Sequence, residues 1–278
     1  MPGLEWRMFK VGHCRQIERL SCRTAPWRFC NFPALVGLIT HPAEGHILFD
    51  TGYAPRFFET TARFPERAYR LATPATLPPH ERLSEQLARQ GIAVADIRAI
   101  VVSHFHADHI AGVGDFPRAA IVCARAGFDA IRSVGRIAGV RRGLIPSLLT
   151  TDVEARTRFV EELPTISLPA DMAPFERGHD LFGDGRLVAI SLPGHADGQL
   201  GLTFTGGDGR KVFLIADAAW SIDAVRHNTL PMRLADRLVH HTTDYPATLH
   251  RLHQLQTQNS DVLIVPSHCR QRQRELVA

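Results

Sequence analysis

The sequence predicts a mixed α/β protein, with two sheets packed face to face and helices outside them. Three observations point there. Short apolar runs of strand length alternate with helical stretches along the whole chain. Those runs fall into two sets, each spread over roughly half the length, which suits two sheets better than one. Hydrophobic residues make up 45% and charged residues 22% of the 278, enough apolar material for a sizeable core.

Taken in order, Ala34 to Ile39 and His46 to Phe49 read as strands joined by a turn at Pro42 to Gly45. Glu81 to Gln90 reads as a helix, with Leu83 and Leu87 on one face and Gly91 as its stop. Ala99-Ile100-Val101-Val102 is a short apolar run typical of a buried strand. In the second half, Leu187 to Leu192 is a strand entered through Gly183-Asp184-Gly185. Leu200 to Thr205 and Lys211 to Ile215 form a hairpin across Gly206 to Gly209. Asp244-Tyr245-Pro246 opens a helix reaching about Gln256, with proline early, where a missing N–H costs little. Val262 to Val265 is the last buried strand.

The stretch 125–172 mixes helical pattern with Gly and Pro breaks. It reads as a mostly helical insertion or lid inside a single domain spanning 1–278. It is too short for a core of its own, so Phe128, Ile131, Leu144, Ile145, Leu148 and Leu149 are expected either to pack on the sandwich or to line a substrate channel.

Net charge is +4, with Arg residues spread along the chain. Nucleic-acid binding needs a continuous basic surface. Arg132, Arg136, Arg141 and Arg142 read instead as a solvated helix face, so no nucleic-acid partner is expected. No apolar run reaches membrane-span length, and Met1 to Arg7 lacks the apolar segment of a secretion signal. Cys14, Cys22 and Cys30 fit no zinc-finger spacing. The five cysteines read as reduced thiols of a cytoplasmic protein. Oligomeric state is left open, a homodimer included.

The strongest chemical signal follows the strand ending at Ser103. His104, His106, Asp108 and His109 fall within six residues. Imidazoles and carboxylates are the usual zinc ligands. Alternation puts His104 and His106 on one side of an extended segment. After a turn, Asp108 and His109 can face a second point about 3.5–4 Å away, the spacing of two-metal sites.

This cluster and its companions resemble the metallo-β-lactamase-like superfamily, whose fold is an αββα sandwich with metals at one edge of the sheets. Five motifs match in order: Phe49-Asp50-Thr51-Gly52, His104 to His109, Pro193-Gly194-His195, Ile215-Ala216-Asp217 and Val265-Pro266-Ser267-His268. Each follows an apolar strand. The resemblance spans about Ala34 to Cys269. It implies that His104, His106 and His195 hold one divalent ion, that Asp108, His109 and His268 hold the other, and that Asp217 bridges them, while Asp50 supports the ligands. Zinc is the expected metal, with iron, manganese or cobalt as alternatives for such a donor set. The remaining histidines, including His13, His179, His227, His240, His241, His250 and His253, read as ordinary polar residues.

By the same resemblance the chain is a hydrolase using a hydroxide shared by two metals, with Asp108 passing a proton to the leaving group. The pattern is most similar to the N-acyl-homoserine lactonase branch, and so to quorum quenching and to a small ester or lactone as substrate. Two features depart from that branch. Trp220 stands three residues after Asp217, where those lactonases carry a tyrosine, and an indole has one N–H and no hydroxyl. Asp197-Gly198-Gln199 stands where many relatives have a proline and a second histidine. Trp220 is nonetheless expected beside the substrate, and Pro26 to Phe32 with Phe57-Phe58 are expected to add aromatic pocket surface. An acyl-thioesterase, or another carboxylic ester hydrolase of this fold, is the rival reading. A non-catalytic metal-containing binding or regulatory protein is the alternative of another class.

Overall fold

A computed structural model describes residues 3–232 and 243–277. Among these, the strands form two sheets. The first joins β1 (Glu5–Ile17), β2 (Phe29–His41), β3 (Gly45–Phe49), β4 (Ala75–Thr76), β5 (Ile97–Val101), β6 (Ala120–Cys123) and β7 (Thr157–Phe159) in the order β4-β1-β2-β3-β5-β6-β7. The second joins β8 (Thr165–Ser167), β9 (Arg177–Asp180), β10 (Val188–Ser191), β11 (Leu200–Thr205), β12 (Lys211–Ala216) and β13 (Leu263–Pro266) in the order β13-β12-β11-β10-β9-β8.

Alternation along the strands sorts the apolar side chains into three layers. Leu35, Ile39, Ile47, Phe49 and Val101 of the first sheet meet Leu202, Phe204, Val212, Leu214 and Val265 of the second. The other face of the first sheet, with Val36, Leu38, Leu48 and Ile100, packs under Phe57, Leu83, Leu87, Phe128 and Ile131 from helices. Ile190, Phe213, Ile215 and Ile264 face outward from the second sheet onto Val225, Leu249, Leu252 and Leu255. The result is the αββα sandwich. Burying one such side chain contributes roughly 1.5–3 kcal/mol, so the layers hold the strand ends firmly.

The expected elements are present, with boundaries moved. The first strand is the middle of a 13-residue strand, β2, paired antiparallel with the equally long β1, which the apolar pattern did not announce. Register slips between Lys10 and His13, around Gly12, so the alternation of β1 breaks midway. The helix before Gly91 spans Leu83–Arg89, and the one after Asp244 spans Tyr245–Gln258.

The segment 125–172 divides in two. Its first part carries the helices Arg125–Ser133 and Arg136–Arg141. Its second part supplies β7 and β8, the edge strands of the two sheets, where mostly helix was expected. Those strands are three residues each, too short for a period-two pattern to register. Phe128, Ile131, Leu144, Ile145 and Leu148 are core residues. No helix among the described residues is long and apolar enough to cross a membrane, and all five cysteines are free thiols. The pair His240-His241 lies outside the described residues.

Candidate metal centre

Five chain segments bring their side chains together where strands of both sheets end. Asp50 follows β3, the His104 to His109 run follows β5, His195 follows β10, Asp217 follows β12 and His268 follows β13. Backbone bonds tie these ends across the sandwich. Leu200 N–H donates to Ser103 C=O at 2.8 Å, and Leu35 N–H donates to Ser267 C=O at 2.9 Å. Two of the segments carry left-handed backbone at non-glycine residues, Asp50 (φ 63°) and Ala216 (φ 47°). Such geometry is costly away from glycine and gathers at functional sites. Gly194, just before His195, has φ 135°, and a Cβ there would lie 2.3 Å from the Tyr245 Cα.

All seven expected ligands are buried: His104, His106, Asp108, His109, His195, Asp217 and His268. Their donor atoms fall into three trios, each with its atoms within 4.8 Å of one another: His104 with His106 and His195, Asp108 with His109 and His268, and His104 with His109 and Asp217. The third trio joins the other two. Asp217 Oδ1 lies 3.4 Å from His109 Nε2, and its Oδ2 lies 3.3 Å from His195 Nε2 and 3.1 Å from His268 Nε2.

Outer hydrogen bonds decide which nitrogen of several rings faces inward. Asp50 accepts from Ser103 N–H at 2.8 Å, from Ser103 O–H at 2.8 Å and from His109 Nδ1–H at 2.7 Å. Having given its proton to Asp50, the Ser103 hydroxyl accepts from His104 Nδ1–H at 3.0 Å. His268 Nδ1–H donates to the Pro33 carbonyl at 2.7 Å. The Nε2 atoms of His104, His109 and His268 therefore point into the cluster. Imidazole ligands of metals usually have such a partner on the other nitrogen.

The arrangement fits cations. His104 Nε2 and His195 Nε2 approach His106 Nδ1 to 3.1 and 3.0 Å. Three ring nitrogens converging this way offer a set of lone pairs that one divalent ion could take. His109 Nε2 and Asp217 Oδ1 are buried without a hydrogen-bond partner, an expensive state for polar atoms unless something binds them. The titration tendencies agree. Burial, then the imidazoles of His109, His106 and His195, push His104 well below the usual imidazole range. Burial opposes a charge on His109, but Asp217, Asp50 and Asp108 outweigh it and raise that imidazole well above its usual range. Burial alone would favour a protonated Asp217, yet His268 and His109 hold it well below the carboxylate range.

A cavity of about 400 Å³ opens over His106, Asp108 and Asp217. Its lining is mainly apolar or aromatic and includes Leu20, Ala72, Tyr69, Val140, Trp220 and Tyr245. Trp220 stands with its ring 4.7 Å from that of His268 and 5.2 Å from that of Phe32. Val140, Arg142 and Gly143 bring the end of the helical segment to the cavity. Gly143 (φ 71°) packs on the His106 ring, where a Cβ would come within 2.9 Å of Cδ2. The aromatic lining differs from the expected one. Trp27 (64% exposed) and Phe29 (61%) face solvent, and Phe32 and Phe57 are core. Tyr69, Tyr245 and Arg142 stand in the wall instead; Tyr245 and Arg142 sat on segments that the sequence announced, Arg142 as part of a solvated helix face, and Tyr69 did not.

A family model described as the Metallo-beta-lactamase superfamily matches residues 31–268. The chain is similar to the N-acyl homoserine lactonase AttM of Agrobacterium fabrum, 27% identical over 231 residues, covering 83% of this chain and 80% of that protein. It shares its fold with an N-acyl homoserine lactone hydrolase solved with the product N-hexanoyl-L-homoserine at its catalytic metal centre (TM-score 0.72, 17% identity, 99% of this chain and 97% of that one). It also shares it with AidC, a dizinc quorum-quenching lactonase (TM-score 0.61, 16% identity, 97% and 89% covered).

Proposed function

Because the chain belongs to the metallo-beta-lactamase superfamily, we propose that it is a metal-dependent hydrolase that opens lactones, with an N-acyl-homoserine lactone as its substrate class. One observation carries the reading: seven buried imidazole and carboxylate side chains converge at the floor of an apolar cavity. The similarity to AttM supports the lactone.

In this reading His104, His106 and His195 hold one ion, Asp108, His109 and His268 hold the second, and Asp217 lies between them. The ions are zinc, the metal that such a histidine-rich set favours. Bound divalent ions supply the acidity that makes water nucleophilic near neutral pH, and they polarise the scissile carbonyl. The chain's own residues do the rest. Asp50 and the Pro33 carbonyl fix the orientations of His109 and His268. Asp108 lines the cavity with its Oδ2 3.4 Å from His268 Nε2, where it can carry a proton from the attacking water to the leaving alkoxide. The apolar walls exclude bulk water and seat the substrate's hydrocarbon part. Trp220 borders the substrate. The free thiols fit a reducing, cytoplasmic setting.

The test is hydrolysis of short- and long-chain acyl-homoserine lactones beside matched thioesters and a phosphodiester, with metal-replete protein. Lactone turnover should lead. Thioester turnover far above lactone turnover would make the protein a thioesterase, and no turnover across the panel would favour a binding protein.

A further inference from the structure

Tyr69 sits in the wall of the cavity whose floor carries Asp108 and Asp217. Its neighbours in that wall include Leu20, Ala68, Ala72 and Val140, none of which can hydrogen-bond through its side chain. The residue is half-buried on the helix Glu66–Ala72. Its ring stands edge-on to Phe57, centroids 6.1 Å apart. The start of the helix is clamped, because Arg136 Nε and Nη2 each donate to the buried Glu66 carboxylate at 2.7 Å. That clamp joins it to the helix Arg136–Arg141, which brings Val140 to the same cavity. The ring is thus placed before any ligand arrives, which lowers the ordering cost of binding.

Among the described residues the Tyr69 hydroxyl makes no hydrogen bond. Burial, then the charges of Asp108, Cys14 and Asp217, keep the phenol protonated. It can therefore offer a hydrogen within the mainly apolar cavity that Asp108 and Asp217 also line. A carbonyl taken out of water needs such a donor.

We propose that Tyr69 is a substrate-binding residue whose O–H donates a hydrogen bond to the carbonyl oxygen of the reacting ester group. The assignment rests on the ester-hydrolase reading above. Tyr69→Phe keeps the ring against Phe57 and removes only the hydroxyl. Trp220 lines the same cavity, so tryptophan fluorescence can report its occupancy. The experiment titrates metal-replete wild type and Tyr69→Phe with an acylamino γ-lactam and with the matching cyclic ether, which lacks the ring carbonyl. It also measures lactone hydrolysis and metal content. The variant should bind the lactam about five- to tenfold more weakly and bind the ether unchanged. Its kcat/KM on the lactone should fall about tenfold at equal metal content. Equal lactam affinity in both proteins, or equal losses for lactam and ether, overturns the assignment. A wild type that hydrolyses esters beside an unaltered variant removes Tyr69 alone. A wild type that neither binds the lactam nor hydrolyses any ester removes the ester-hydrolase reading and Tyr69's role together.

Discussion

His109 donates from Nδ1 to Asp50 Oδ2 at 2.7 Å, and both residues are buried almost completely. Asp50 takes part in none of the three ligand trios. It orients His109 directly, and through the Ser103 hydroxyl it also orients His104. Asp50→Ala should leave the seven candidate ligands in the chain but let two rings rotate. Metal affinity should fall roughly 10–100-fold, measured by competition with a chromophoric chelator. Unchanged affinity would show that the rings are held by packing alone.

Asp217 and Asp108 should separate in their effects. Asp217→Ala removes the carboxylate that lies 3.1 to 3.4 Å from the Nε2 atoms of His109, His195 and His268, so two cations held there would repel across the gap. Activity and at least one ion should be lost. Asp108→Asn keeps an oxygen ligand and removes the proton carrier, so kcat should fall further than metal content. A metal-replete, fully active Asp108→Asn would end its proton role, and full metal content in Asp217→Ala would end the bridging assignment.

Gly143→Ala tests the contact between the helical segment and the metal edge. The left-handed backbone there costs an alanine about 1–2 kcal/mol, and the new methyl would meet the His106 ring. The His106 ring, whose Nδ1 lies 3.1 and 3.0 Å from His104 Nε2 and His195 Nε2, should be displaced from that position. Metal held by that trio should weaken while the melting temperature drops only a few degrees. Wild-type metal content and kcat in the variant would show that the segment yields instead of the ring.

Trp220 borders the cavity without joining a trio. Trp220→Ala should raise KM roughly tenfold, the scale of one lost apolar contact surface, and alter acyl-chain preference with both metals retained. Trp220→Tyr should raise lactone turnover if a phenol at this position reaches the substrate. Metal loss in Trp220→Ala would instead make the indole a support for His268, whose ring it touches.

The candidate site was legible because each of its motifs comes shortly after an apolar strand, as Asp217 follows Lys211–Ala216. Strand periodicity places such a residue at a sheet edge, and residue chemistry supplies the rest. The cavity wall was much less legible. Tyr69 lies on the helix Glu66–Ala72, whose buried residue is Glu66, so no apolar stripe of the kind Leu83 and Leu87 give marks it in the sequence. Arg142 and Gly143 reach the site through tertiary packing, with Gly143 C=O accepting from Ala107 N–H at 3.2 Å. Phe57 and Trp27 look alike in sequence, yet one is core and the other solvent-facing. Aromatic residues near a motif carry no sign of which side of the chain they occupy. The strand β1 escaped notice because Gly12 and the register slip interrupt its alternation.

The most direct test is reconstitution. Metal-stripped protein is titrated with zinc while hydrolysis of an acyl-homoserine lactone and bound metal are followed together. Activity should be absent at the start, rise with added zinc and saturate at two ions per chain. Full activity in the stripped protein, or saturation of binding at one ion or fewer, would contradict the account.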